Sequence, residues 1–402
     1  MRFLIIDDDP TILSLVASLL VKQGHDVDTA EGLAELEMRP ERLDVDMVIL
    51  DYRLGRSTGL DVVRLLMTCT FSPRVILLSA ADRASVMGAV ELGRSCGLRM
   101  LGILEKPLDA RALLRIIEQL QASLGTVASC DIHAALKSRH FLLAYQPKFC
   151  LSTGRVTGVE ALARWEDPEL GLVPPDRFIS AAEKDGQIIP LTWQLVDQAL
   201  AQQYRWRRAG ISLDMAINLS PAVLEADDFL PQFLRRLEAH EVPSESLTLE
   251  LTETQGIRDM DKAVKRLSRL RDLGFNIAID DFGTGNASML QLYRLPFTQL
   301  KIDRSFVANC TDDDKAHSII LMVVELARRI GLDVVAEGIE TPEQSRLLKQ
   351  AGCHTGQGYF FSRPMYADRF ESWYGCFAKQ SAGREEVSWR TLQRLIQQCH
   401  PA

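Results

Sequence analysis

Two pairs of adjacent acids each close an apolar run. Asp7 and Asp8 follow "FLII", and Asp280 and Asp281 follow "NIAI". Adjacent carboxylates at the end of a buried strand repel one another. Two unit charges about 4 Å apart cost roughly 4 kcal/mol at an effective dielectric near 20. A bound divalent cation removes that cost. Hard oxygen ligands that leave room for water and a phosphoryl group suit Mg2+.

The second pair belongs to a longer series. "VEALARW" carries Glu160 and Arg164, "INLS" Asn218, and "ELTE" Glu250 and Glu253. "LKID" then carries Lys301 and Asp303, "AEGIE" Glu337 and Glu340, and "GQGY" Gln357. Each group falls late in a strand-like run. The donors are all oxygen, which suits Mg2+ or Mn2+ better than a structural zinc. Several acids around one centre point to two metals sharing a carboxylate. Such a pair activates a water and neutralises charge on a phosphodiester during in-line displacement. Lys301 would orient that water or stabilise developing charge, and Arg164 is placed to pair with a phosphate oxygen. A lone Glu at such a position is more often a salt-bridge partner, and Glu253, Asp303 and Glu340 are open to that reading.

The first pair also has companions. Asp51 ends "DMVILD", Ser79 ends "RVILLS", and Lys106 follows "LGILE". In a parallel sheet the carboxyl ends of all these strands lie on one edge, where ligands bind. Asp51 can there act as nucleophile toward an activated phosphate, with Asp7, Asp8 and Asp51 holding one Mg2+. Ser79 and Lys106 would hold the phosphoryl oxygens.

The elements that must position these groups can be read from the pattern. Five short apolar strands alternate with helical segments over about 120 residues, the pattern of a flavodoxin-like doubly wound parallel sheet. From about residue 133 a second alternation begins. About eight βα units in ~250 residues is the sequence shape of a TIM-type (β/α)8 barrel. The small-residue stretch "GTVASC" marks the boundary. The expected division is 1–122, a linker 123–132, the barrel 133–380 and a tail 381–402. In the tail Trp389, Leu392, Ile396 and Cys399 share a helix face. That face reads as a helix docked on the barrel, with an oligomer contact as the alternative.

Composition limits the function classes. The chain has 402 residues, 47% hydrophobic and 25% charged, which is ordinary for a soluble globular protein. A net charge of −8 argues against nucleic acid held through phosphate contacts. No helix-turn-helix candidate stands outside the two domains. No apolar segment approaches about 18 residues, and no signal-peptide pattern opens the chain. The expectation is a cytoplasmic protein with no membrane insertion. The 8 cysteines form no CxxC pair, so most are expected as reduced thiols.

The motifs carry a resemblance. Residues 1 to about 122 resemble a response-regulator receiver domain, which implies phosphorylation of Asp51 by a sensor histidine kinase. Residues 133 to about 380, with "YQP", "EALARW", "INLS", "ELTE", "DDFGTG", "LKIDRSFV", "VAEGIET" and "GQGYFFSRP", resemble an EAL domain. The family implies hydrolysis of cyclic di-GMP to linear pGpG, with phosphorylation controlling the rate. It implies metal ligation by Glu160, Asn218, Glu250, Asp280 and Asp281. Glu337 is either a ligand of the second metal or the base. Lys301 sits by the attacking water. Gln146, Arg164, Gln357 and Asp303 fall on the substrate side, and Glu253 braces the "DFGTG" loop. The family also implies a homo-oligomer, dimeric or higher. A weakly catalytic sensor or scaffold is the alternative. Three positions depart from the pattern: Ile103 where many receivers carry an aromatic residue, Asn286-Ala287 for Tyr-Ser, and Thr298 for Asp.

Overall fold

The computed structural model describes all residues except 39, 44, 56, 67–72, 80–82, 96–97, 126–128, 169–170, 253–256, 258, 284–288, 382–388 and 400–402. Two compact units result. One comprises residues 1–127 with 166–173, and the other comprises 128–165 with 174–401.

The first unit is built on five parallel strands: β1 (Arg2–Ile6), β2 (Asp26–Ala30), β3 (Met47–Asp51), β4 (Arg74–Ser79) and β5 (Arg99–Glu105). Their order across the sheet is β2-β1-β3-β4-β5. This is the doubly wound architecture expected from the alternation. Successive side chains on a strand point to opposite faces, and the apolar runs are continuous because both faces are covered. Phe3, Ile5, Met47 and Ile49 enter one core. Leu4, Ile6, Val48 and Leu50 enter the other. The helix Pro10–Lys22 starts where it does because Asp9 accepts a hydrogen bond from Thr11 N at 2.8 Å and Pro10 fills the first turn.

The second unit is a closed eight-stranded barrel: β6 (Phe141–Cys150), β7 (Val156–Asp167), β8 (Asp214–Asn218), β9 (Leu247–Thr252), β10 (Asn276–Phe282), β11 (Gln299–Ile302), β12 (Asp333–Ala336) and β13 (Thr355–Gly356). Six junctions, from β7 round to β13, are parallel. Strand β6 runs antiparallel to both its neighbours, β7 and β13. Eight uniform βα units are therefore not what forms. The reason is local. Only residues 151–155 join β6 to β7. Gly154 N donates to Cys150 O at 2.8 Å, and Gly154 takes the left-handed φ of 69°. So short a connection can close a hairpin, whereas a parallel crossover needs about a dozen residues or more.

The eighth strand is also shorter than "GQGYFFSRP" predicts. Pairing covers Thr355–Gly356 alone. The chain then passes tightly over Ile339: Phe360 N donates to Ile339 O at 2.9 Å. A Cβ at Gly358 would lie 2.2 Å from the Ile339 backbone. That close approach requires glycine.

In the tail, the helix Trp389–Cys399 buries Leu392, Leu395, Ile396 and Cys399 in the barrel unit's core. The docked reading of this face holds for those residues. Cys376 and Cys399 form a disulfide, with Cα atoms 5.6 Å apart, within reach of a bridge. This corrects the reduced-thiol expectation for that pair. Cys150, Cys310 and Cys353 are free thiols. Among the described residues, no helix is long and apolar enough to cross a membrane.

Candidate active site

A barrel interior is usually filled by branched aliphatic side chains. Here the upper interior is charged. Lys301, on β11, is 1% exposed and surrounded by acids. Its Nζ lies 2.8 Å from Glu250 Oε2, 3.0 Å from Asp280 Oδ1, 2.7 Å from Glu337 Oε1 and 3.6 Å from Glu160 Oε1. Glu250, on β9, is fully buried, and its other oxygen, Oε1, accepts from Lys148 Nζ at 2.6 Å. Among the described residues, five carboxylates, counting Asp281, face two ammoniums.

A second layer orients Glu160. Asn218 Nδ2 donates to Glu160 Oε1 at 3.1 Å, and Gln357 Nε2 donates to Glu160 Oε2 at 2.6 Å. Gln357 Nε2 also donates to Gln146 Oε1 at 2.9 Å, and Gln146 Nε2 donates to Ser362 O at 3.0 Å. Gln146 sits directly across from Glu160 in the β6–β7 register.

Two groups of carboxylates approach metal-binding geometry. In Glu160, Glu250 and Asp280, one oxygen from each lies within 4.8 Å of the others; the same holds for Asp280, Asp281 and Glu337. Asp280 belongs to both. The donor set fits divalent ions: every candidate is oxygen, and the buried Gln357 Oε1 has no partner among the described residues.

Proton affinities reflect the crowding. Burial pushes the Glu250 carboxyl up to about 7, assisted by the Glu160 charge and opposed by Lys148 and Lys301. Burial and the neighbouring Asp280 push Asp281 up to about 6. Burial also drives Glu337 well above the ordinary carboxylate range. In Glu160 burial acts in the same direction, but Lys301, Lys148 and the amide donors outweigh it and bring the group to about 2. Burial would lower Lys301, yet the surrounding acids hold its ammonium well above the ordinary lysine range.

The other sheet has its own edge site. Lys106 Nζ lies 2.7 Å from both Asp7 Oδ2 and Asp51 Oδ2. Asp7 and Asp51 are buried, and Asp8 is exposed. These three carboxylates are close enough to share one ion. Ser79 is buried at the end of β4. Burial raises the Asp7 carboxyl, against the hydrogen bond from Lys106. Burial would lower Lys106, but its bonds to Asp51 and Asp7 raise it.

Residues 129–364, more than half of the chain, match the EAL domain family, and residues 3–118 match the response regulator receiver domain. The chain belongs to the EAL domain family. It is 30% identical over 384 residues to the cyclic di-GMP phosphodiesterase RocR of Pseudomonas aeruginosa, covering 92% of this chain and 97% of RocR. It is 40% identical over 257 residues to the cyclic di-GMP phosphodiesterase PA2567 of the same species, covering 64% of this chain but only 44% of that protein. Among solved structures, a MucR phosphodiesterase in complex with c-di-GMP matches with a TM-score of 0.57 and 38% identity, covering 60% of this chain and 98% of that chain.

Within the EAL barrel, Glu160, Asn218, Glu250, Asp280, Lys301, Glu337 and Gln357 converge through the contacts above. Asp281 takes the left-handed φ of 54° beside Asp280, and its backbone N donates to Asp280 Oδ1 at 2.9 Å. Arg164 is half-buried on β7, and its guanidinium donates to Ala163 O at 2.8 Å. Asp303 is the N-cap of the helix Arg304–Asn309 and accepts from Ser305 N at 2.9 Å. Glu340 is exposed. Glu253 and Asn286-Ala287 lie outside the described residues. Thr298 explains how one departure from the EAL pattern is accommodated. Its hydroxyl accepts from Ile277 N at 3.0 Å and donates to Ile277 O at 3.1 Å, joining the approach to β11 to β10. Lys148 was not anticipated. Its signal was present in "YQPKF", where Gln146 and Lys148 alternate with Tyr145, Pro147 and Phe149, so both must face one side of the strand.

Proposed function

We propose that the barrel hydrolyses cyclic di-GMP to linear pGpG using two divalent ions, Mg2+ or Mn2+. The observation that carries this reading is the pair of carboxylate groups sharing Asp280. Glu160, Asn218, Glu250, Asp280 and Asp281 would hold the ions, with Glu337 at the second. When bound, such ions lower the proton affinity of water and offset charge on the phosphodiester. Full-length similarity to RocR, a cyclic di-GMP phosphodiesterase, supports the substrate.

The protein's own groups divide the remaining work. Glu337, held 2.7 Å from Lys301 Nζ, accepts the proton of the attacking water. Lys301 supplies fixed positive charge where the phosphorane oxygens gain negative charge. Gln357 and Asn218 hold Glu160 in one orientation, and Arg164 meets a phosphate oxygen from the rim of β7. Asp303 acts by capping its helix near Asp281. Glu253 braces the following loop.

The receiver unit takes a phosphoryl group onto Asp51 from a sensor histidine kinase, with one Mg2+ on Asp7, Asp8 and Asp51 and with Ser79 and Lys106 on the phosphoryl oxygens. Phosphorylation raises phosphodiesterase turnover. The protein acts in the cytoplasm as a homo-oligomer. Purified full-length chain incubated with cyclic di-GMP and Mg2+ or Mn2+ should release pGpG, resolved by liquid chromatography. Tight nucleotide binding with no product would instead favour a sensor or scaffold.

A further inference from the structure

Among the described residues two lysines, Lys148 and Lys301, reach Glu250 inside the EAL barrel, and the chemistry proposed above uses only Lys301. Lys148 projects from β6, paired in register with Gly158 of β7. Gly158 presents no side chain, and a Cβ there would come within 2.7 Å of Asp214 O. On β8, Ala216 is buried and pairs with Glu160. From β6 the lysine side chain passes β7 and β8 to reach β9. There Nζ lies 2.6 Å from Glu250 Oε1, with the lysine side chain 9% exposed. The opposite oxygen, Oε2, is the one that shares Lys301 with Asp280 and Glu160.

We propose that Lys148 is a positioning residue for metal binding: it occupies Glu250 Oε1, so that Glu250 offers a single, fixed oxygen, Oε2, to the ion. This rests on the reading of Glu160, Glu250 and Asp280 as metal ligands. A carboxylate with both oxygens free can rotate or chelate with both. One held from behind by a buried ammonium has its direction set before the ion arrives. Partners that orient a ligand from outside the coordination sphere typically contribute 10–100-fold in metal affinity, as an order of magnitude. The inverted direction of β6 is what makes this arrangement available. It puts Gln146 level with Glu160 and Lys148 one interior position deeper, so one strand supports two different ligands.

The test is titration of metal-free, full-length protein with Mn2+, following free ion by electron paramagnetic resonance, for wild type, Lys148→Met and Lys148→Gln. Far-ultraviolet circular dichroism reports folding. Both variants should bind Mn2+ about ten-fold or more weakly, while KM for cyclic di-GMP at saturating Mn2+ stays at the wild-type value. A folded variant with wild-type Mn2+ affinity overturns the assignment. If neither variant folds, a crystal structure of the wild type with Mn2+ decides. Lys148 retained on Oε1 with Oε2 toward the ion supports the proposal. Lys148 withdrawn, or both Glu250 oxygens on the ion, overturns it. A wild type that binds no Mn2+ in the barrel overturns the metal-site reading as well, and is thereby distinguished from failure of the Lys148 role alone.

Discussion

Lys301 Nζ lies 2.7 Å from Glu337 Oε1 at the head of the barrel, and the two side chains come from the ends of the directly paired strands β11 and β12. This pair joins the fixed positive charge of the site to its proposed base. In Lys301→Met, four acids lose their common partner. Breaking a buried ion pair by removing one member costs about 3–5 kcal/mol. The variant should melt several degrees lower when metal-free, recover part of that loss on Mn2+ addition, and lose at least about 100-fold in kcat. Calorimetry and product assays would check this; wild-type turnover in the variant would remove Lys301 from the chemistry.

Asp280 stands in both carboxylate groups, whereas Glu250 and Glu337 each stand in one. Asp280→Asn should therefore weaken both ions, and Glu337→Gln only one. Beyond the one ion of the receiver site, Mn2+ titration should give two tight sites in wild type, one in Glu337→Gln and none in Asp280→Asn. Equal stoichiometry in the two variants would contradict the shared role of Asp280.

Acidity gives a signed expectation. Glu250 is raised from 4.5 to about 7 and Asp281 from 3.8 to about 6. Between those limits the native, metal-free protein binds more protons than the unfolded chain, so its stability falls as pH rises through this window. Divalent ions displace the same protons, so their binding tightens over the same window. The Mn2+-induced rise in Tm should be larger at about pH 8 than at about pH 5.5. Scanning calorimetry at the two values tests it, and a rise that shrinks with pH would run against the assigned ligands.

Gln146 was expected from the family resemblance to meet the substrate, yet both ends of its amide are engaged, by Ser362 and Gln357. Gln146→Leu should lower kcat by about ten-fold through loss of the Gln357–Glu160 orientation, with KM unchanged. A rise in KM at constant kcat would instead restore the substrate contact.

In the receiver unit, Lys106 bridges Asp7 and Asp51. Acetyl phosphate with Mg2+ should add one phosphoryl group to the wild type and raise cyclic di-GMP turnover, with neither effect in Asp51→Ala. Intact mass spectrometry and product assays read the two effects separately. Identical rates throughout would remove the regulatory link.

Much of this was legible in the sequence. Continuous runs such as "FLII" and "MVIL" announced strands covered on both faces, since alternate side chains must each find an apolar layer. The placement of Asp7, Asp51, Ser79 and Lys106 at successive strand ends was enough to predict one edge site. In the barrel, Glu160, Asn218, Glu250, Asp280, Lys301 and Glu337 fall on or just after successive strands, and their convergence follows from chain order. A local cue also existed for the hairpin at Gly154, because five residues cannot carry a crossover.

Tertiary structure alone decided who pairs with whom. Gln146 reaches Ser362 across 216 residues of chain, and Lys148 reaches Glu250 across 102. Strand pattern tells which side chains face inward, but not how far around the barrel each one reaches. That depends on the register and direction of every intervening strand. Residue type fixed the chemistry available to this protein, and closure of the sheet fixed which oxygen each cation would meet.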